Sequence, residues 1–184
     1  MTADRKYRFF WEDTIGVDLT NARPSLGPNL RLEAYRLFQF TLRDILEQVY
    51  GTESADDVFR RAGALAGRHF YERFCAGAES FSALVGKASQ AFADLGMGIL
   101  RVEGADGNRL VFTVTEDLDC SGMPEQSEVV CIYDEGLLQG LLEAFTGDNY
   151  AVREVDCWCT GARVCRFEAV AFPDGMGDRH GDEQ

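Results

Sequence analysis

The chain has 184 residues, 46% of them hydrophobic and 27% charged, with 18 Lys plus Arg against 31 Asp plus Glu for a net charge of −13. This length and composition fit one folded domain and argue against disorder, a collagen-like chain and a membrane-spanning helix, because the apolar runs are only a few residues long. Such an acidic chain repels phosphate backbones and anionic lipid surfaces, so neither nucleic acid nor a membrane is expected as a partner.

Residues 1–28 read as an N-terminal arm. Tyr7 to Trp11 is an aromatic patch with the pattern of a short strand, and Asn21 to Pro28 is turn chemistry rich in proline and glycine. The domain proper is expected over 29–171, followed by a flexible acidic tail over 172–184. A first helix is predicted over about 30–50, where Leu32, Tyr35, Phe38, Leu42, Ile45, Leu46 and Val49 recur at three- and four-residue steps, with Gly51 as its cap. A second, over about 55–75, carries Val58, Ala62, Leu65, Ala66, Phe70 and Phe74 on one stripe and Ser54 as a cap. A third, over about 81–95, carries Phe81, Leu84, Val85, Ala88, Phe92 and Leu95.

The period then changes. Gly98 to Glu103 and Arg109 to Glu116 read as a hairpin. A fourth helix is predicted over about 131–146, with Leu137, Leu138, Leu141, Leu142 and Phe145, ending at Gly147. Tyr150 to Trp158 and Arg163 to Ala171 form a second hairpin around Thr160 and Gly161. The expected architecture is α+β, an antiparallel sheet of about four strands with helices packed on one face.

Six cysteines stand at 75, 120, 131, 157, 159 and 165. No secretion signal is visible, so the expected location is cytoplasmic, where thiols stay reduced and clustered cysteines read first as metal ligands. Cys131, Glu154, Cys157 and Cys165 follow the spacing C-x22-E-x2-C-x7-C. Zinc takes thiolates, accepts a carboxylate and closes its structural sites at four ligands. Cys157 and Cys165 flank the turn of the last hairpin. A straight strand would put Glu154 and Cys157 on opposite faces, so a bend or bulge is required between them. Cys159 competes as fourth ligand, because a C-x-C pair shares one strand face; the same thiols also read as small buried hydrophobes or redox groups.

Glu154-Val-Asp-Cys-Trp-Cys-Thr-Gly-Ala-Arg-Val-Cys165-Arg-Phe-Glu resembles the closing motif of the 4-vinyl reductase domain family. Cys131-Ile-Tyr-Asp-Glu-Gly136, followed by Leu-Leu-Gln-Gly140, is similar to the family's preceding helix, and Ser121-Gly122-Met-Pro to the segment before it. That resemblance implies the fold shared with TRAPP vesicle-tethering subunits and with the input domains of phenol-responsive activators. It also implies a zinc on Cys131, Glu154, Cys157 and Cys165, favouring Glu154 over Cys159. The His and Trp that hold phenol in those sensors do not carry over, since the histidines here are His69 and His180 and the tryptophans Trp11 and Trp158.

Phe38, Phe70, Phe74, Phe81 and Phe92, with His69 beside them, are candidates to line an apolar ligand pocket; core packing explains the same stripe. Cys75 and Cys120 read as ordinary buried thiols, and Glu116, Asp117 and Asp119 as a solvated acidic turn. No catalytic triad, phosphate loop or dinucleotide fingerprint is present. The expectation is therefore a non-catalytic sensory domain with a structural zinc and an apolar or aromatic ligand, acting as a homodimer through a separate output protein. A reductase acting on a vinyl tetrapyrrole and a protein-interaction scaffold are the alternatives.

Overall fold

A computed structural model describes residues 6–19 and 21–172; the tail expected beyond Phe172 and the first five residues of the arm lie outside the described residues. The chain divides into two compact units, residues 1–39 and 40–184.

In the first unit the aromatic patch is not a strand. Phe10 is extended, and one helical turn, α1 (Trp11–Thr14), follows it. Glu12 and Asp13 sit in that turn, where carboxylates suit a helix N-terminus and disfavour a strand. Helix α2 (Leu32–Tyr50) begins in the first unit and ends in the second, and none of its 19 residues is buried.

The second unit holds α3 (Thr52–Phe70), which runs on through a π-helical turn (Tyr71–Cys75), then α4 (Phe81–Leu95), α5 (Ile132–Thr146) and four strands. Gly51, at φ +83°, separates α2 from α3 in a conformation that glycine adopts without a steric penalty. Arg43 on α2 reaches across this corner to Asp56 on α3 at 2.6 Å. Ser80 caps α4 through the Ala83 amide.

Strands β1 (Ile99–Asp106), β2 (Arg109–Thr115), β3 (Asn149–Asp156) and β4 (Cys165–Phe172) form one sheet in the order β1-β2-β4-β3, with every neighbouring pair antiparallel. Alternation sorts its faces. Leu100, Phe112, Val114, Val152, Phe167 and Ala169 are buried against Leu84, Ala88 and Phe92 of α4 and Leu138, Leu141 and Leu142 of α5. On the opposite face, Arg166 pairs with Glu103 and Asp156, and Arg109 with Glu168, so that face is charged and wet. Among the described residues no helix is long and apolar enough to cross a membrane.

Two features of α5 position the site. First, it lies almost backbone to backbone on α3. Gly63 and Gly67 of α3 face Gly136 and Gly140 of α5, and a Cβ at any of the four would fall closer than 3.0 Å to a backbone atom of the other helix. Second, α5 covers the open edge of β3: Glu135 Oε1 accepts the Glu154 amide at 2.9 Å, and Glu143 Oε1 accepts the Tyr150 amide at 3.4 Å. An edge strand's free amides thus find partners on the helix.

Candidate metal centre

Cys131 stands at the N-cap of α5, and its carbonyl accepts the Asp134 and Glu135 amides. The glycine contact with α3 fixes where that helix begins. Cys157 opens a 3-10 turn (Trp158–Thr160) in which its carbonyl takes the Thr160 and Ala162 amides, while its own amide donates to Thr160 Oγ1. Gly161, at φ +91°, closes that turn in the left-handed region. Cys165 starts β4.

The bulge required by the spacing is present. The register of β3 against β4 shifts between Glu154 and Asp156, so that Glu154 pairs with Phe167 and Asp156 with Arg166. Skipping Val155 leaves Glu154 and Cys157 both on the core face, with Phe167 and Cys165.

A fourth sulfur joins them from a segment that sequence reasoning read differently. Asp117 Oδ1 accepts the amides of Asp119 at 2.8 Å and Cys120 at 3.3 Å, an Asx-type turn that directs Cys120 inward. Asp117 and Asp119 are each only 2% exposed, so the acidic run is a buried turn rather than a solvated one. The Sγ atoms of Cys120, Cys131, Cys157 and Cys165 all lie within 4.8 Å of one another. Cys120 to Cys165 is 3.1 Å, Cys131 to Cys165 3.7 Å and Cys131 to Cys157 4.0 Å. Cys120 is therefore a member of the cluster and not an isolated core thiol. The sequence signal for it was its position just before the Ser121-Gly122-Met-Pro segment, eleven residues from Cys131; it lacks the short spacing that singled out the others.

Glu154 is anchored beside this cluster. Its Oε2 accepts the Cys131 amide at 3.0 Å, and its Oε1 is buried without a hydrogen-bond partner. Cys159 is buried but turned away, 3.9 Å from Gln126 Nε2. Cys75 lies elsewhere, at the end of the π-helical turn. A second group of donors, Asp117, Cys131 and Asp134, shares Cys131 with the first.

The electrostatics show one thiolate served by its neighbours. Hydrogen bonds from Cys120, Cys131 and Cys165 hold Cys157 far below the ordinary thiol range. Hydrogen bonding to Cys120 and Cys157 pushes Cys131 well above it, and hydrogen bonding to Cys120 does the same for Cys165. Burial, then the Cys157 charge, raises Glu154 to about 9. Burial likewise raises Asp117 and Asp134. The arginines near the site in sequence are engaged elsewhere: Arg153 with Glu135, Arg163 with Glu125 and the Trp158 ring, and Arg166 with Glu103 and Asp156. This anion-rich, four-sulfur pocket could hold a metal ion.

The six residues proposed to line a ligand pocket are spread more widely. Phe70 and Phe92 are buried with ring centroids 5.4 Å apart, Phe74 is 5.0 Å from Phe70, and Phe81 packs on Phe112 at 6.4 Å. His69 Nδ1 lies 3.1 Å from Glu72 Oε2. Phe38, on α2, is 69% exposed.

The fold and the site together define an α+β domain in which a buried thiol cluster ties a helix start to the last hairpin. Residues 110–171, about a third of the chain, match the 4-vinyl reductase domain. Two uncharacterized proteins of Methanocaldococcus jannaschii are relatives. MJ1642 is 28% identical over 68 residues, 37% of this chain and 42% of the relative; MJ0150 is 26% identical over 89 residues, 48% and 47%. The matches thus span less than half the length of these relatives.

Three solved structures share the fold. The phenol-responsive sensory domain of the transcription activator PoxR, solved with phenol, has a TM-score of 0.64 at 20% identity, covering 77% of this chain and 75% of that one. A vinyl-4-reductase family protein from M. jannaschii has a TM-score of 0.61 at 14% identity, covering 91% and 99%. A trafficking protein particle complex subunit 3 from Naegleria fowleri, covalently bound to palmitic acid, has a TM-score of 0.62 at 11% identity, covering 77% and 95%.

Proposed function

We propose that this chain is a small-molecule-sensing domain, with a structural zinc clamping α5 to the β3–β4 hairpin. The observation that carries the reading is the buried cluster of Cys131, Cys157, Cys165 and Cys120 in a fold shared with a phenol-sensing domain. Its donors fit zinc: thiolates are its preferred structural ligands, and the sulfurs are already gathered at roughly the spacing that a Zn–S bond of about 2.3 Å requires. Bound there, zinc would supply a cross-link and no chemistry, since four protein ligands leave it no open position.

The ligand in this reading is apolar or aromatic, held between helices and sheet near Phe70, Phe74, Phe81 and Phe92, with His69 at the rim. Phenol in one structural neighbour and a palmitoyl chain in another support that class of ligand. The domain pairs as a homodimer through α2 and the start of α3. Leu42, Ile45, Val49, Tyr50 and Val58 are all more than 40% exposed there, a large apolar surface for a single domain. The signal passes to a separate output protein.

A thermal-shift screen of the purified chain against phenols, aromatic hydrocarbons, fatty acids and tetrapyrroles tests the ligand. Saturable stabilisation by one class, weakened after chelation, is expected. Turnover of a vinyl tetrapyrrole by the protein with an electron donor would replace the sensor with an enzyme.

A further inference from the structure

Spacing and resemblance nominate Glu154 to complete three thiolates, but the folded chain holds a fifth donor. We infer that the metal of the proposed clamp is bound by four sulfurs, those of Cys120, Cys131, Cys157 and Cys165, with Glu154 standing outside as a reserve ligand. The inference rests on the reading of the thiol cluster as a metal site and concerns which groups touch the ion.

A tetrahedral ion with Zn–S bonds of about 2.3 Å sets its sulfurs about 3.8 Å apart. The edges of 3.1, 3.7 and 4.0 Å, and a limit of 4.8 Å on every pair, bracket that value. Small side-chain shifts suffice to centre an ion. Cys120 has nowhere else to go: it is fully buried, and the Asp117 turn directs it inward. Leaving it unligated would press a spare thiol against the metal-bound sulfur of Cys165.

Glu154 is differently placed. Its Oε2 is committed to the Cys131 amide, where it orients the N-cap cysteine, and its carboxylate is not part of the four-donor group. Charge does not choose between the two arrangements, because four thiolates and three thiolates plus a carboxylate both leave −2 around a divalent ion. Softness and geometry do, and both favour sulfur. The unpartnered Oε1, buried beside the cluster, explains the reserve role. When Cys120 is removed, the nearest unsatisfied anionic donor is this oxygen, already tethered at its other end.

X-ray absorption of the zinc-loaded chain, with zinc affinity measured by competition, reads the ligand set directly. The wild type should show four sulfurs. Glu154→Gln should keep four sulfurs and one zinc. Cys120→Ala should keep one zinc with three sulfurs and one oxygen, and the double variant should bind at least tenfold more weakly than Cys120→Ala. Far-ultraviolet circular dichroism confirms that each variant is folded. Three sulfurs and one oxygen in the wild type, or in Glu154→Gln a lost sulfur or lost zinc, would overturn the assignment while leaving the clamp standing. A double variant binding as tightly as Cys120→Ala would remove the reserve role. A wild type that takes up no zinc would overturn the clamp itself, and this assignment with it.

Discussion

A methyl group added at Gly67 would meet Leu137 backbone atoms, and one at Gly136 would meet the Arg60 carbonyl, in each case closer than 3.0 Å. Backbone cannot yield as a flexible side chain can, so Gly67→Ala or Gly136→Ala is expected to cost about 3 kcal/mol in urea unfolding. Gly86, exposed on α4 with nothing near its missing Cβ, makes the control: Gly86→Ala should stabilise by about 0.5–1 kcal/mol. Equal effects at the two kinds of site would contradict the packing account. Cys75 offers a pH test away from the cluster. Burial raises its thiol from 9.0 to about 11, with Lys87 pulling the other way. Between those values the unfolded chain releases the proton and the folded chain keeps it, so the wild type should lose stability relative to Cys75→Ala as pH rises, by up to about 1.4 kcal/mol per pH unit. A constant difference across that window would refute the shift. At this scale the sequence spoke unevenly. Cys131, Cys157 and Cys165 were legible from spacing and motif, and so was the need for a bulge beyond Glu154. Cys120 was not, because an Asx turn in a loop leaves no periodic mark, and an acidic run is ordinarily solvated.

Among the elements, α5 carries the most consequence. Its Glu135 is 2% exposed yet takes Arg60 Nη2 at 2.8 Å, Arg153 Nη1 at 3.3 Å and the Glu154 amide at 2.9 Å, joining α3, α5 and β3 through one carboxylate. Glu135→Ala would strand Arg60 and orphan a strand amide, and is expected to cost about 3–5 kcal/mol in chemical denaturation. Glu135→Gln keeps an acceptor for the amide and should cost less. A loss under about 1 kcal/mol in Glu135→Ala would show that the link is not structural. Element identities in the second unit were legible because their periods are clean: 3.6 residues in α4 and α5, two in the strands. The aromatic patch was not. Its apolar residues suggested a strand, while Glu12 and Asp13 settled a helical turn. The use of Gly63, Gly67, Gly136 and Gly140 as a close-packing seam was visible only as spacing until α3 and α5 were seen face to face.

For the whole molecule, the exposed apolar residues of α2 predict self-association. Sedimentation at micromolar concentration should give twice 20.5 kDa, and a single 20.5 kDa species would argue against the pairing. Neither the ligand nor the pairing surface was legible in the sequence, since core-type aromatics and pocket-type aromatics share one pattern. The zinc clamp is the claim on which the rest depends, because it fixes the hairpin that closes the domain. Native mass spectrometry of the freshly purified chain, coupled to metal analysis, addresses it most directly. The expected result is one zinc per chain, lost on Cys157→Ala and on Cys165→Ala. A metal-free wild type, or full zinc content in both variants, would contradict it.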